Sequence, residues 1–573
     1  MTRDGLWNPR APCMKLNASV VQRLWLKTGR RLKARFYIYL AVVFTVFVFA
    51  DTFLLGITAK MKQSSFDMMI RHRLVVSRPD PEIVILDINE ASLAAMAKDY
   101  GRWPWPRQVM GEFLEQVESQ RPKAVVFDIL FSDPDVYNAD SDAYFNEAVG
   151  RTGNTFFPML RLDPASDSLS SLMPSQLPGA VPVQGEARND KPVAMVMPFF
   201  DTAVKGGRLG LHNIYPDSDG VTREYTVYRK DYGWLLPSLP ARVAGWLGVK
   251  LPAKDSILIN WRGKPFTYRY VSFADVYLDM LNKDRKRPKD EFTGKIIIIG
   301  STAAGLFDVK ATPMDRLFPG VEILATALDN LKNNDYLRVP DTKLFNLALA
   351  LLIVWATALA MYKNIGQDIF GRVFGASQFM LIGISYASIN LLTTYINLTG
   401  PVMVGVAFFS CAKLYALGAR KALERSAVMS SVLTEGELYA AVMLVRLGAG
   451  HDPAADKAAA RLQRVLGKRL RLAKSIETLK GAQKGIWGLF EGTVVVSWTC
   501  PAGDEKRMGL IRQEASSLEK SSSELLRAGR DMDGVSVVFH EGRLAGGESA
   551  RAGWAVLFGE ALAKQELAGR DDK

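Results

Sequence analysis

The chain has 573 residues, 72 Lys and Arg against 59 Asp and Glu, and a formal net charge of +13. At about 150 residues per domain, this length predicts three or four structural units instead of one globule. The basic residues lie beside apolar segments, which disfavours nucleic acid as a partner and favours a role in membrane orientation. The three cysteines, Cys13, Cys411 and Cys500, are too few and too far apart for a disulfide framework or a Cys-rich metal site, so we expect no metal and no cofactor.

Four apolar segments are long enough to cross a bilayer, which needs about 20 predominantly apolar residues in a helix. They are residues 36–58, 344–362, 373–395 and 397–417. The first has no small-residue cleavage site after a short apolar core, which is typical of an anchor and not of a removed signal peptide. Asp51 lies within it. Because an ionisable group in a membrane is costly, Asp51 is either functional or, as we favour, satisfied by a neighbouring helix or interfacial water.

The orientation follows from Lys and Arg in short flanking loops, which stay on the cytoplasmic side. Basic residues place the N-terminal segment 1–35 inside, so residues 59–343 form an extracytoplasmic domain. The basic turn at 363–372 returns inside, and the uncharged turn YINLTGP lies outside. Arg420, Lys421 and Arg425 keep the C-terminal part inside, as a coupling helix at 418–436 and a cytoplasmic domain at 437–573.

In the outer domain, short apolar runs are followed by polar residues and helical stretches. PEIVILDINEASL ends its run at Asp87, RPKAVVFDILFSDPD at Asp128, and GKIIIIGSTAAGLFD at a turn with Ser301 and Thr302. This alternation predicts an α/β fold with parallel strands, and ligands of such sheets bind at the carboxyl ends of the strands. The four side chains are therefore candidates for a ligand-binding crevice. Capping of the next helix or internal hydrogen bonding is the alternative role for each. The GSTAAG turn lacks the GK[ST] of a P-loop.

The segment GRWPWPR combines two indole rings with two guanidinium groups. Trp103, Trp105 and Arg107 would suit an aromatic and cationic platform for a ligand. The alternative, which we favour, is a rigid proline turn whose rings cover the core, with Arg107 at the start of a helix over 108–120.

A series of motifs in the outer domain resembles the CHASE2 extracytoplasmic sensor domain in family order. The stretches are FDMMIRHRL, RPDPEIVILDINEASL, GRWPWPR, AVVFDILFSDPD, NIYPDSDGVTRE, LPSLPARVA, ILINWRG, SFADV, GKIIIIGSTAAGLFD, ATPM and FPGVEILATALDNL. The resemblance implies a sensor in a bacterial inner membrane that reports to a cytoplasmic output module, commonly a class III nucleotide cyclase, a kinase or a phosphatase. It does not identify the sensed ligand.

The tail predicts strands at YAAVMLVRL, GTVVVSW and VSVVFHEG, with a helix-rich segment around 454–480 and a helix over 506–526. Together with GTVVVSWTCPAGDEK, VVFHEGRLAGG and WAVLFGEALAKQEL, this order resembles a class III nucleotide cyclase domain with gaps. An unrelated small α/β domain is the alternative. His540 is expected in a turn and not as a ligand or base, because no second metal-ligating group lies at ligand spacing.

The cyclase resemblance implies a site whose working groups have been lost. Such enzymes use two aspartates to hold two divalent metals, and an Asn and an Arg on the last helix. The first Asp position falls on Arg446, and the second on Gly492 or, shifted by one residue, on Glu491. The Asn position falls on Ala563, and no Arg follows within a turn. The resemblance thus implies a pseudocyclase that binds partners, unless Glu491 retains a metal.

Three functions compete. The favoured one is a membrane signalling or scaffold protein whose outer domain binds a ligand or envelope protein and whose tail binds cytoplasmic proteins. The second is an active or half-site cyclase subunit, and the third is a purely structural membrane component. The basic helix over 461–474 favours contact with acidic partners or anionic lipid only weakly. Dimerisation is implied by the resemblance alone.

Overall fold

The computed structural model describes residues 36–564 except for 137, 178, 186–190, 307, 363–366, 429–436, 448–452, 479–491, 528–534, 545–552, 555 and 563. The chain divides into two compact units. The outer unit contains Thr58–Thr342 and Leu381–Thr399, and the other contains Lys343–Met380 together with the residues up to Ile57 and from Gly400 onward.

The outer unit is an α/β domain with a mostly parallel sheet in the order β11-β1-β12-β2-β3, and both β5 and β6 lie beside β3. Every pairing in this sheet is parallel except β3 with β5. The strands of the unit are β1 (Ile83–Asp87), β2 (Ala124–Phe127), β3 (Thr155–Arg161), β4 (Val181–Pro182), β5 (Met195–Val196), β6 (Leu209–Leu211), β7 (Glu224–Thr226), β8 (Tyr228–Asp231), β9 (Trp234–Pro237), β10 (Ser256–Leu258), β11 (Arg269–Ser272), β12 (Ile296–Gly300), β13 (Val309–Lys310) and β14 (Phe318–Pro319).

The central strands are apolar up to their carboxyl ends because both faces of the sheet are covered. Successive side chains of a strand point to opposite faces, so Val84 and Leu86 enter one core while Ile83 and Ile85 enter the other. The helices that flank the sheets or extend from them are Ile57–Arg71, Glu90–Tyr100, Arg107–Glu118, Ala139–Gly150, Asp201–Lys205, Leu239–Trp246, Phe273–Leu281 and Gly320–Asn333. The predicted parallel α/β fold of this domain is confirmed.

Three helices among the described residues are long and apolar enough to cross a membrane: Phe36–Leu55, Lys343–Tyr362 and Thr399–Leu417. They share one apolar cluster in which small residues let the helices approach, including Ala41, Ala350 and Ala412. Asp51 is buried and begins a π-helical turn, Asp51–Leu55, that continues the helix Phe36–Ala50. The third apolar helix belongs to a longer one, Thr399–Val428, which includes the start of the predicted coupling helix 418–436.

The predicted span at 373–395 is not confirmed as a membrane candidate. A helix, Gln367–Leu391, covers most of it, but polar residues such as Gln378 and Asn390 lower its apolar content. From Leu381 onward this segment belongs to the outer unit, where Ile389 and Tyr395 lie in a core of the α/β domain. Ser385 Oγ also accepts a hydrogen bond from the Leu398 amide at 3.1 Å.

The tail contains an antiparallel sheet in the order β16-β17-β15-β18. Its elements are β15 (Leu438–Leu447), the helix Pro453–Arg469, β16 (Ser475–Thr478), β17 (Thr493–Pro501), the helix Glu505–Arg527 and β18 (Val535–Leu544). This βαββαβ order is the split βαβ arrangement, a fold that hosts many functions.

Two local predictions for the tail are wrong. The end of the helix-rich segment is β16, because Ser475–Thr478 pairs with β17. His540 lies within β18 opposite Val442, and not in a turn. The described residues of 553–564 are helical, and Trp554 and Phe558 cover one face of the sheet.

Candidate functional site

The carboxyl ends of β1, β12 and β2 lie side by side, and the polar residues that follow them meet at one sheet edge. Asp87 pairs in register with Gly300, and the Asp128 amide donates to the Ile299 carbonyl at 2.7 Å. Asp87 and Asp128 therefore flank the end of β12 from opposite sides. This is the edge at which α/β sheets bind ligands.

The Asp87 side of this edge is closed by internal hydrogen bonds. Thr302 donates to the Asp87 carboxylate through its amide at 2.9 Å and its hydroxyl at 2.6 Å. Ser301 Oγ donates to the Ile88 carbonyl at 2.7 Å. Burial raises the pKa of Asp87, and the hydrogen bonds from Thr302 oppose that rise. These three residues thus occupy the predicted positions, but Thr302 satisfies Asp87 and the Ile88 carbonyl satisfies Ser301, which is the internal hydrogen bonding given as the alternative.

The Asp128 side holds a cluster of three groups of the types that ligate metals. Asp128, His212 and Asp308 each present one ligand atom within 4.8 Å of the others. His212 follows β6, and Asp308 directly precedes β13. The distance from His212 Nε2 to Asp128 Oδ1 is 3.1 Å, yet neither Asp128 Oδ1 nor His212 Nδ1 has a hydrogen-bond partner among the described residues.

Glycines let the two carboxylates approach the backbone closely. A Cβ on Gly300 would lie 3.1 Å from Asp128 Oδ2 and only 2.6 Å from Val321 Cγ2. A Cβ on Gly320 would clash with the carboxylate of Asp308. Gly320 also donates its amide to the Asp308 carbonyl at 2.9 Å, which fixes the backbone of the loop before β13.

The electrostatics of the cluster are dominated by the burial of the Asp128 carboxylate. Burial raises the pKa of Asp128 to about 6, and the charge of Asp308 adds to the rise, while His212 and Lys310 oppose it. Tyr225, which is 1% exposed, has a hydroxyl without a partner among the described residues. Burial raises the pKa of this phenol, and the charges of Asp128 and Asp308 raise it further. A strongly perturbed group at a ligand-binding edge is a candidate functional site.

The tryptophan turn is structural, as favoured. Trp105 is buried in one core of the α/β domain, and Trp103 packs against the same core. Arg107 begins the helix Arg107–Glu118, with its guanidinium 5.0 Å from the centre of the Phe131 ring. Burial lowers the pKa of Arg107, and nearby aspartates including Asp142 oppose that fall. The turn therefore presents no open cationic platform.

In the tail, the described positions of the cyclase comparison lie close together, Arg446 on β15 and Gly492 directly before β17. Arg446 is opposite Thr493, and the Leu447 amide donates to the Gly492 carbonyl at 3.0 Å. Glu491 and Ala563 lie outside the described residues. His540 Nε2 is 2.7 Å from Glu560 Oε2.

Sequence reasoning found Asp128 but missed His212, Asp308 and Tyr225. Each of these lies in or beside a short strand far along the chain, β6, β13 and β7 respectively, and only the tertiary fold brings them to Asp128. The available signal was His212 itself, which directly follows the apolar run LGL. Asp87 and Asp128 lie at the ends of their own apolar runs in the same way.

The comparisons with known proteins identify the outer domain. A family model described as the CHASE2 domain matches residues 40–362, more than half of the chain. No curated protein and no solved structure matches the chain. The cyclase resemblance of the tail has no support from the family comparison. With its α/β sensor domain beside helices that could cross a membrane, the chain belongs to the CHASE2 family of extracellular sensors in signalling.

Proposed function

We propose that this chain is a multi-pass inner-membrane signalling protein whose CHASE2 domain senses a ligand outside and whose pseudocyclase tail binds partner proteins in the cytoplasm. The observation that carries the proposal is the family match over 40–362, which begins inside the first candidate span and ends at the last residue of the second. A sensor domain bounded by membrane helices at both ends can pass a conformational change to either of them.

A cytoplasmic tail requires Gln367–Leu391 to recross the membrane. Its 25 residues have a length of about 37 Å at 1.5 Å per residue, enough for a hydrocarbon core of about 30 Å. The end of this helix belongs to the same compact unit as the sensor domain, which supports an outward-facing end. Cysteines placed at Asn390 and at Lys468 test this topology with an impermeant thiol reagent. Labelling of the first alone in intact cells is the expected result, and labelling of the second would contradict it.

The sensor domain holds the segments that lead to the membrane through charged contacts. Arg223 donates to Asp67 in the helix Ile57–Arg71 through Nε and Nη2, both at 2.7 Å. Arg73 donates to Asn260 Oδ1 at 2.5 Å and to the Ile389 carbonyl at 3.0 Å. Because the charged groups of these pairs are largely buried, a shift of the domain would move the segments that enter and leave the bilayer.

The tail supports a binding role through the residues at its candidate metal positions. Arg446 lies on β15 and Gly492 directly precedes β17, at one end of the sheet, where a cyclase of this kind would need two carboxylates. A cation at one position and no side chain at the other disfavour the binding of two divalent metals.

The proposal is tested by assaying the full-length protein in membranes with manganese and ATP or GTP, beside Glu491→Ala. We expect no cyclic nucleotide from either protein when circular dichroism shows a folded tail. Activity that disappears in Glu491→Ala would make this chain an active cyclase and overturn the pseudocyclase assignment.

A further inference from the structure

We propose that Asp128, His212 and Asp308 bind one divalent transition-metal cation, Zn²⁺ or Mn²⁺, at the sheet edge of the sensor domain. The site deepens the proposed function, on which its use in signalling rests, by giving the chemical class of a ligand. Cation binding itself is measurable without any signalling output.

The spacing of the three groups fits one ion. Their ligand atoms lie within 4.8 Å of one another, and Asp128 Oδ1 is 3.1 Å from His212 Nε2. Two ligands that each lie about 2.0–2.2 Å from a shared ion are roughly 3.0–3.5 Å apart. The pair is therefore as close as two ligands of one metal, although it is not aligned as a hydrogen bond.

The strongest independent observation is that buried polar atoms of the cluster and of Tyr225 have no hydrogen-bond partner among the described residues. The Asp128 side chain is 3% exposed, and its Oδ1 has no hydrogen-bond partner among the described residues. The hydroxyl of Tyr225 is equally unpartnered, and both carboxylates raise the pKa of its phenol. Buried polar groups in proteins are almost always hydrogen-bonded, and an exception requires an explanation. A cation on Asp128 would satisfy the carboxylate and give Tyr225 an ordered water or a ligand to contact.

The Lys310 ammonium group would compete with the cation for the Asp308 carboxylate. Its Nζ lies 3.1 Å from Asp308 Oδ1, and its side chain is 43% exposed. A long, solvated lysine can turn away into water at small cost, because exposed ion pairs contribute only about 0–1 kcal/mol. Asp308 is 35% exposed, so it also provides the route by which an ion enters the site from solvent.

The donor set selects the type of cation. Two carboxylates and one imidazole suit borderline ions, whereas Ca²⁺ and Mg²⁺ prefer oxygen ligands alone, and soft ions prefer thiolates. Three protein ligands leave further coordination positions open for water or a small anion, as in metal sites that exchange their ligands.

The test measures binding of Zn²⁺, and separately of Mn²⁺, to the full-length protein purified in detergent and stripped with a chelator. Isothermal titration is expected to show one saturable ion per chain. Asp128→Asn and His212→Gln should each weaken binding at least about 10-fold, since loss of a ligand costs more than the 10- to 100-fold of an outer contact. Lys310→Met should strengthen binding several-fold, because it removes the competing ammonium group.

Matched controls are Asp201→Asn and His72→Gln, which change the same residue types at exposed positions. They should bind as the unaltered protein does. Absence of saturable binding of both ions, or full affinity in a folded Asp128→Asn variant, would overturn the site. Asp128→Asn removes a buried charge next to Asp308 and keeps the shape of the side chain, so it is expected to fold. The cyclase and topology assays test the proposed function independently, so failure of this site leaves their results unchanged.

Discussion

Two buried aspartates in the sensor domain show how differently one fold treats the same side chain. Asp167 accepts hydrogen bonds from both terminal nitrogens of Arg161, from the Ala194 amide and from the Tyr232 hydroxyl, all within 2.6–2.8 Å. Asp128 has a histidine at 3.1 Å, a second carboxylate nearby and an oxygen with no hydrogen-bond partner among the described residues. The first arrangement stabilises the domain. The second raises its free energy, which proteins tolerate where a ligand completes the site.

The largest effect on stability is expected from replacing Asp167, the aspartate that is fully hydrogen-bonded. Asp167→Asn removes the carboxylate that binds both terminal nitrogens of the buried Arg161 guanidinium, leaving it the Asp231 carboxylate at 3.2 Å, and should destabilise the region by about 3 kcal/mol. Arg161 lowers the pKa of Asp167, so this stability is present above the ordinary aspartate pKa of about 3.9 and is lost as pH falls through the lowered value. Hydrogen exchange of the β3 amides should show the deficit at pH 7, and denaturant unfolding should show it shrinking below about pH 4. A deficit that is unchanged at pH 3 would contradict this.

The next largest effect on stability is expected at the Asp87 side of the sheet edge, where Thr302 satisfies the carboxylate. Thr302→Val removes the hydroxyl that donates to Asp87 at 2.6 Å but keeps the amide bond and the shape of the side chain. Loss of a hydrogen bond to a buried charge should cost about 2 kcal/mol. Thermal unfolding of the full chain in detergent measures the change, with Thr394→Val, which removes a solvent-exposed hydrogen bond to the Leu392 carbonyl, as the control. An unaltered unfolding temperature would mean that water replaces the hydroxyl and that solvent also reaches the Asp87 side of the sheet edge.

Replacing Asp128 should change the stability of the protein in the opposite direction. Asp128→Asn removes a buried charge next to Asp308, so the metal-free protein should become more stable by about 1 kcal/mol at pH 7.5. Unfolding in the presence of a chelator reports this gain. Excess Zn²⁺ should stabilise the unaltered protein more than the variant. A loss of stability without metal would show that Asp128 has a structural partner and would remove the contrast with Asp167.

The smallest effect is expected at Tyr225. Because its hydroxyl has no hydrogen-bond partner among the described residues, Tyr225→Phe should change the stability of the metal-free protein by less than about 0.5 kcal/mol. Tyr268 provides the contrast: its hydroxyl donates to Asp329 Oδ2 at 2.7 Å, so Tyr268→Phe should cost about 2 kcal/mol. Equal costs at the two positions, measured by the same thermal unfolding, would show that the Tyr225 hydroxyl is satisfied.

The tail offers a second comparison with the sensor domain. Its strands β15, β17 and β18 follow from apolar runs as clearly as β1 and β12 do. The order of its elements is nevertheless shared by many unrelated proteins, so the fold by itself leaves its activity open. In the outer domain, eleven ordered motifs and a family match carry the identification, whereas in the tail the argument depends on single positions such as Arg446.

Elements with local signals could be predicted from the residues alone. A run such as IVILD or IIIIG can be buried only on both faces of a sheet, and a run of about 20 apolar residues fits only a membrane or a large core. The tertiary structure alone decided which polar groups meet. It placed His212 and Asp308 beside Asp128, closed Asp87 with Thr302, and placed the polar end of Gln367–Leu391 in the sensor unit. The reason is that burial follows from residue type along the chain, whereas a site depends on contacts between strands that are distant in sequence.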